Sequence, residues 1–171
     1  MNPVLIDIED IDSSDLYRLV KNIYTTSEGM SEYFEQKFPD EATCGRYFSE
    51  MKNIPGAVVL FTAINNEPTG YLVLKPRQQA KIRHTSELNM GVHSGFRGNG
   101  IGKFLLTQAM EIAGDLKLIE IVYLMVRTDN IPAIRLYEKF CFEKLATLKR
   151  DTKIGNRYFD GILMRKFIDN R

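Results

Sequence analysis

Cysteine and histidine are scarce in this 171-residue chain, with two of each. Cys44 and Cys141 lie far apart and form no Cys-x-x-Cys pair, and two histidines cannot complete a zinc site. The expectation is a reduced, cytoplasmic protein without a structural metal. No apolar run approaches the roughly 18 residues that read as a membrane-spanning helix. The opening Met1-Asn2-Pro3-Val4-Leu5-Ile6-Asp7 lacks the basic n-region and small-residue cleavage site of a secretory signal. A large excess of either charge is missing too: the net charge is +1. Neither nucleic acid nor a membrane surface is therefore an expected partner. The length suits one domain with a full core and is too short for two ordinary ones, so residues 1–171 are read as a single domain. There is no internal repeat and no low-complexity segment.

Glycine is concentrated where it matters. Gly95, Gly98, Gly100 and Gly102 stand between an apolar run, Leu88-Asn89-Met90-Gly91-Val92, and an amphipathic one that begins Ile101-Gly102-Lys103-Phe104-Leu105-Leu106. Strand, glycine-rich loop and helix in that order make an anion site, because glycines let backbone approach a ligand and a helix N-terminus offers free N–H groups. A P-loop is excluded, since Gly102-Lys103 is followed by Phe104 and the first glycine position holds Arg97. The dinucleotide fingerprint fails as well, because Gly98, Gly100 and Gly102 are each two apart.

Taken in order, residues 4–8 predict a first strand. Leu16, Leu19, Val20 and Ile23 predict a helix opened by Asp12, Ser13 or Ser14, and Asp40 caps a second helix over 41–53. Residues 26–40 read as a loop, with a helical turn, carrying more aromatics than a solvated loop should. Residues 57–64 and 70–75 form a hairpin across Asn65-Asn66-Glu67-Pro68, and 84–92 is the next strand of an antiparallel meander. The helix after the loop is expected to end at Gly114. The apolar run 118–126 predicts a strand buried on both faces, paired in parallel with the one before the loop. Asn130 caps another helix with Pro132 in its first turn. Strands over 142–149 and 157–167 complete the chain. The fold class is therefore mixed α/β: a mostly antiparallel sheet of six to seven strands, one central parallel step, and flanking helices.

Arg97-Gly98-Asn99-Gly100-Ile101-Gly102 resembles the Arg-x-x-Gly-x-Gly pyrophosphate loop of the GNAT N-acetyltransferases. Downstream, Asn130, Ala133, Tyr137 and Phe142 match that family's Asn-x-x-Ala-x-x-x-Tyr-x-x-x-Gly-Phe segment, except that Cys141 replaces the glycine. A left-handed residue at that helix end would cost a cysteine on the order of 1 kcal/mol. The resemblance spans about residues 4–167 and is nearest to bacterial members that acetylate amino acids or other small amines. The features are Arg83-His84 before Glu87 and the closing run from Gly155 to Met164, which polyamine- and ribosomal-protein-acetylating members share.

What the resemblance implies is specific. Acetyl-CoA would be the acyl donor, with no metal and no acyl-enzyme. Its pyrophosphate would lie on Arg97, Gly98, Asn99, Gly100, Ile101, Gly102 and Lys103, its pantetheine arm along Met90, Gly91 and Val92, with further contacts from Asn130, Ala133 and Tyr137. Tyr137 would be the general acid for the leaving thiolate. Glu87 would accept the amine proton or anchor the amine electrostatically. His84 and His93 have no assigned role. The acceptor would be a small-molecule amine or a protein amine, and a homodimer is left open. Residues 1–50 carry eleven acids and four bases, net −7, so the remainder carries +8. An acidic N-terminal part suits a cationic acceptor. The rival from another class is a catalytically silent CoA-binding module.

Overall fold

The computed structural model describes residues 2–27 and 29–168. Seven strands form one sheet in the order β1-β2-β3-β4-β5-β7-β6. They are β1 (Val4–Ile6), β2 (Val58–Ile64), β3 (Glu67–Pro76), β4 (Thr85–Val92), β5 (Ile121–Arg127), β6 (Glu143–Ile154) and β7 (Arg157–Phe167). Helices α1 (Ser13–Thr26), α2 (Phe34–Lys37) and α3 (Glu41–Lys52) lie on one face, and α4 (Ile101–Leu116) and α5 (Ile131–Lys139) on the other. Neighbouring strands are antiparallel except β4 and β5, which run parallel.

Side-chain alternation along the central strands splits the core in two. Leu72 and Leu74 of β3 face α4, where Ile101, Leu105, Leu106, Ala109 and Ala113 are buried. Tyr71 and Val73 face the other way, onto Leu16, Leu19, Val20 and Ile23 of α1 and Phe48 of α3. Each large apolar side chain buried in this way contributes about 1.5–3 kcal/mol. Local signals agree with the layers. The Asp40 carboxylate accepts from the Thr43 N–H at 2.7 Å and starts α3. Asn65 and Asn66, both at positive φ (50° and 66°), form the two-residue turn between β2 and β3. Among the described residues no helix is long and apolar enough to cross a membrane.

Five expectations shift, one of them in the first hairpin, where β3 begins at Glu67 and Glu67 and Pro68 pair with Ile64 and Ala63 instead of belonging to the turn. The first strand ends at Ile6, and Ile8 begins a short 3-10 turn. Helix α4 runs through Gly114 to Leu116 and stops at Lys117, φ +55°. The packing of Ala109 and Ala113 outweighs the helix cost of one glycine, about 1 kcal/mol. Strand β5 starts at Ile121, where the partner strand β4 begins, and it is not buried on both faces. Val122, Leu124 and Val126 are covered, while Met125 is 44% exposed on the other side. Its apolar run has a second cause: that side floors a cleft. Finally, β6 continues to Ile154 through an irregularity at residues 148–152, where Arg150 takes φ +57°, and Gly155-Asn156 alone make the turn.

Candidate active site

The site begins where two strands part. β4 and β5 pair only at Thr85↔Ile121, Ser86↔Val122 and Glu87↔Tyr123. β4 remains tied to β3 as far as Val92, and β5 to β7 as far as Arg127. The two therefore diverge without losing their outer ladders. Residues 88–92 of β4 consequently present an open backbone edge in the middle of the sheet. Such an edge accepts an extended, amide-bearing chain as a strand accepts a neighbour.

The glycine loop lies at the top of this gap. Asn22 of α1 anchors its start: the side-chain carbonyl accepts from the Ser94 N–H at 2.8 Å, and the amide donates to Ser94 Oγ at 3.0 Å. His93 Nδ1 accepts from the Gly95 N–H at 3.1 Å, a local role and no more. Gly98 and Gly100 have φ of +81° and +77°, and no atom lies within 4 Å of where a Cβ would stand. The backbone N–H groups of residues 98–103 meet no acceptor among the described residues. Unpaired N–H groups at the positive end of a helix dipole fit a pyrophosphate.

Not every residue of the loop acts alike. A Cβ on Gly102 would stand 3.1 Å from Leu136 and 3.4 Å from Met90, so this glycine lets α4 approach α5 and β4. Gly91 lacks a Cβ for the same kind of reason, since one would meet Ile23 of α1 at 2.2 Å. The Arg97 guanidinium turns away from the loop, donating to Val92 O and Thr26 O at 3.2 Å and to Thr26 Oγ1 at 2.8 Å. It braces the loop against the end of α1, and only its backbone faces the cradle.

Tyr137 and Glu87 stand on opposite faces of the sheet. Tyr137, on α5, is buried among the α4-side apolar residues, 5.7 Å from the Phe142 ring. Burial pushes its phenol up to about 12, and its hydroxyl forms no hydrogen bond among the described residues. It therefore stays protonated and available as a donor at neutral pH. Asn130 caps α5 through Ala133 N at 3.3 Å. Cys141 sits at φ +61°, the left-handed helix end foreseen for it.

Glu87 opens onto a cavity of about 520 Å³ on the face that α1 and α3 leave uncovered beyond β3. Sequence reasoning missed most of this cavity's polar lining: Lys75, Arg77, Asn89, Tyr123 and Arg127. Asn89 is two residues from Glu87 on the same strand face, and the buried Tyr71 hydroxyl donates to its Oδ1 at 2.8 Å. Arg127 is buried 3.6 Å from the Phe159 ring centroid and makes a two-pronged contact with Asp129 at 3.0 and 2.5 Å. That contact holds the Asp129 carboxyl below its usual range. Of the N-terminal acids among the described residues, only Glu32 lines the cavity. Among the described residues the acidic N-terminal part therefore contributes that one carboxylate to the acceptor side. No group of three or more metal-binding side chains occurs among the described residues.

Known proteins share this arrangement. An L-amino acid N-acetyltransferase of Escherichia coli is 22% identical over 150 residues, covering 88% of this chain and 91% of that protein. An N-alpha-acetyltransferase of Sulfolobus acidocaldarius is 31% identical over 113 residues, covering 60% of this chain and 66% of that protein. The solved structure of yncA from Salmonella typhimurium with its cofactor acetyl-CoA superposes with a TM-score of 0.85 at 19% identity, covering 99% of this chain and 95% of that one. The family model for the GNAT acetyltransferases matches residues 15–142. With that match on a seven-stranded sheet split between β4 and β5, the chain belongs to the GNAT acetyltransferase family.

Proposed function

We propose that this GNAT acetyltransferase moves an acetyl group from acetyl-CoA to the primary amine of a small molecule by direct transfer, with Tyr137 as general acid and Glu87 as acceptor of the amine proton. One observation carries the reading: the unpaired N–H run at residues 98–103 follows directly on the open edge of β4, with Tyr137 on one face of the sheet and Glu87 on the other. Bound acetyl-CoA supplies the thioester that the amine attacks and the thiolate that leaves.

The chain's own residues do the rest. The loop amides hold the phosphates, and the backbone of residues 90–92 pairs with the arm. An ammonium near pKa ~10 is no nucleophile, so it must lose one proton before its lone pair attacks the thioester; the second proton, shed once the bond to carbon has formed, makes good the one that the Tyr137 phenol gives to the sulfur. Exposed Glu87 at the cavity floor takes the first proton. The buried Tyr137 phenol delivers one to the departing sulfur. Neither cysteine serves as a nucleophile: the buried Cys44 thiol is pushed up to about 12 and carries no thiolate at neutral pH, and the exposed Cys141 does not line the cavity that Glu87 opens onto.

A small acceptor is supported by what encloses the cavity. Asp151 and Thr152 of the β6–β7 hairpin line it together with Ser31 and Glu32 of the α1–α2 connection.

The test is thiol release from acetyl-CoA, followed with DTNB over a panel of amines. Tyr137→Phe is expected to lower kcat by about 10²-fold or more, within the range for general acid catalysis, while calorimetric acetyl-CoA affinity stays unchanged. An unaltered kcat returns Tyr137 to the core. Tight acetyl-CoA binding without turnover of any amine establishes the silent module instead.

A further inference from the structure

We propose that the acceptor carries a carboxylate beside its amine, and that Arg77 and Lys75 form the subsite that binds it; this rests on the acetyl-transfer reading above. Of the cations that line the cavity with Glu87, Lys37 is held by Glu32 and Arg127 by Asp129, each at 2.5 Å, whereas Arg77 and Lys75 are loosely held. Lys52 meets Asp7 at 2.6 Å and Arg165 meets Glu143 at 2.6 Å, ordinary close pairs. Arg77 Nη2, by contrast, stands 3.5 Å from Glu87 Oε1, beyond good charge-assisted geometry, with the two side chains 40% and 64% exposed. Lys75 faces Glu87 directly in the β3–β4 register, is exposed, and has no carboxylate within ion-pair distance among the described residues. The Arg77 guanidinium lies 5.4 Å from the Tyr123 ring centroid, which orients it toward the cavity floor.

The loose pair matches a zwitterion. In an α-amino acid one carbon separates ammonium from carboxylate, so the two charges can address Glu87 and Arg77 together. Each then gains a closer partner than the other provides. A polyamine would set like charges against Arg77 and Lys75, and such juxtaposition is unfavourable. An α-amide or a decarboxylated amine would satisfy Glu87 and leave the two cations unanswered. Past the charged end, Tyr47, Val73, Met125 and Leu163 line the cavity, a surface for an uncharged side chain. Nothing in the local sequence signals this subsite, because Lys75 and Arg77 look like the solvent side of an ordinary strand until the register sets them around Glu87.

The experiment compares kcat/KM by thiol release for uncharged amino acids, their α-amides, phenethylamine and spermidine. The acids are expected to exceed their amides by about tenfold to a hundredfold, the worth of one or two charged contacts. Arg77→Gln should raise KM for the acids by about tenfold while kcat, and every constant for the amides, stays within about twofold. Lys75→Gln should act in the same direction, and Arg77→Lys should recover part of the loss. Amides or spermidine used as well as the acids overturn the subsite and leave acetyl transfer standing. An equal loss for acids and amides in Arg77→Gln also overturns it, since Arg77 would then act through Glu87. No thiol release from any acceptor overturns the transfer reading and the subsite with it.

Discussion

Buried acidic hydrogens couple this molecule to pH, one on the Cys44 sulfur and others on the Tyr137 and Tyr71 oxygens, all held by burial above their ordinary range. Cys44 lies fully buried on the inner side of α3, and desolvation raises its thiol from an ordinary 9.0 to about 12. A folded-state pKa above the unfolded one means that the fold favours the protonated form. The corresponding stability is whole below pH 9 and is lost as pH climbs toward 12, at no more than about 1.4 kcal/mol per pH unit for each group. Tyr137, raised to about 12, adds its own loss above pH 10. Thermal melts between pH 7 and 10.5 should therefore fall progressively above pH 9. Cys44→Ala should melt lower at pH 7, because a small buried volume is emptied, yet lose less over the alkaline range. Parallel curves for the two proteins would remove the thiol from this account. The same burial keeps Cys44 inert and leaves the amine as the nucleophile.

Helix α4 and the loop before it make a sharper case, since one element both closes the core and cradles the ligand. Gly100→Asp puts a carboxylate among the free N–H groups at a residue with φ +77°. The capping gain over glycine is a few tenths of a kcal/mol and the backbone strain about 1 kcal/mol, so the net cost stays below about 1 kcal/mol. The fold should thus keep its melting temperature within a few degrees, whereas the acetyl-CoA dissociation constant rises about a hundredfold or more through charge repulsion and occlusion. Gly114→Ala, in the same helix with only Ile168 nearby at 4.0 Å, should stabilise the protein and leave binding alone. Normal affinity in Gly100→Asp would take the pyrophosphate off this loop. The start of α4 is legible because glycine spacing and a helix N-terminus are local properties. Its end was misplaced at Gly114 because packing by Ala109 and Ala113 decides it. In the same way Met125 reads as core until the sheet shows that its face is a cleft. Lys75, Arg77 and Asn89 were invisible as site residues, because cross-strand register is a property of the fold and not of any one segment.

At the scale of the whole chain, the sheet is two sheets held by a short seam. β1 to β4 with α1 to α3 form one side, and β5 to β7 with α5 the other; only three parallel residue pairs join β4 to β5. On one face the α4-side core bridges that seam, with Leu72 and Leu88 packed in the same cluster as Val122 and Leu124. On the other face the cavity lies over it, and among the described residues the apolar cluster of that face includes none from β5 to β7. A ligand laid in the split replaces the missing ladder, so binding and stability are linked. Acetyl-CoA at about a hundred times its dissociation constant should raise unfolding free energy by about 2.7 kcal/mol. The gain should have a location as well as a size. In hydrogen exchange, amides of residues 88–92 not already bonded to β3 should slow on binding, together with the N–H run at 98–103. Slowing at 98–103 alone, with residues 88–92 unchanged, would mean that the phosphates are held but the arm does not run along β4. The catalytic assignment of Tyr137 and Glu87 would then fall while the cofactor site stood.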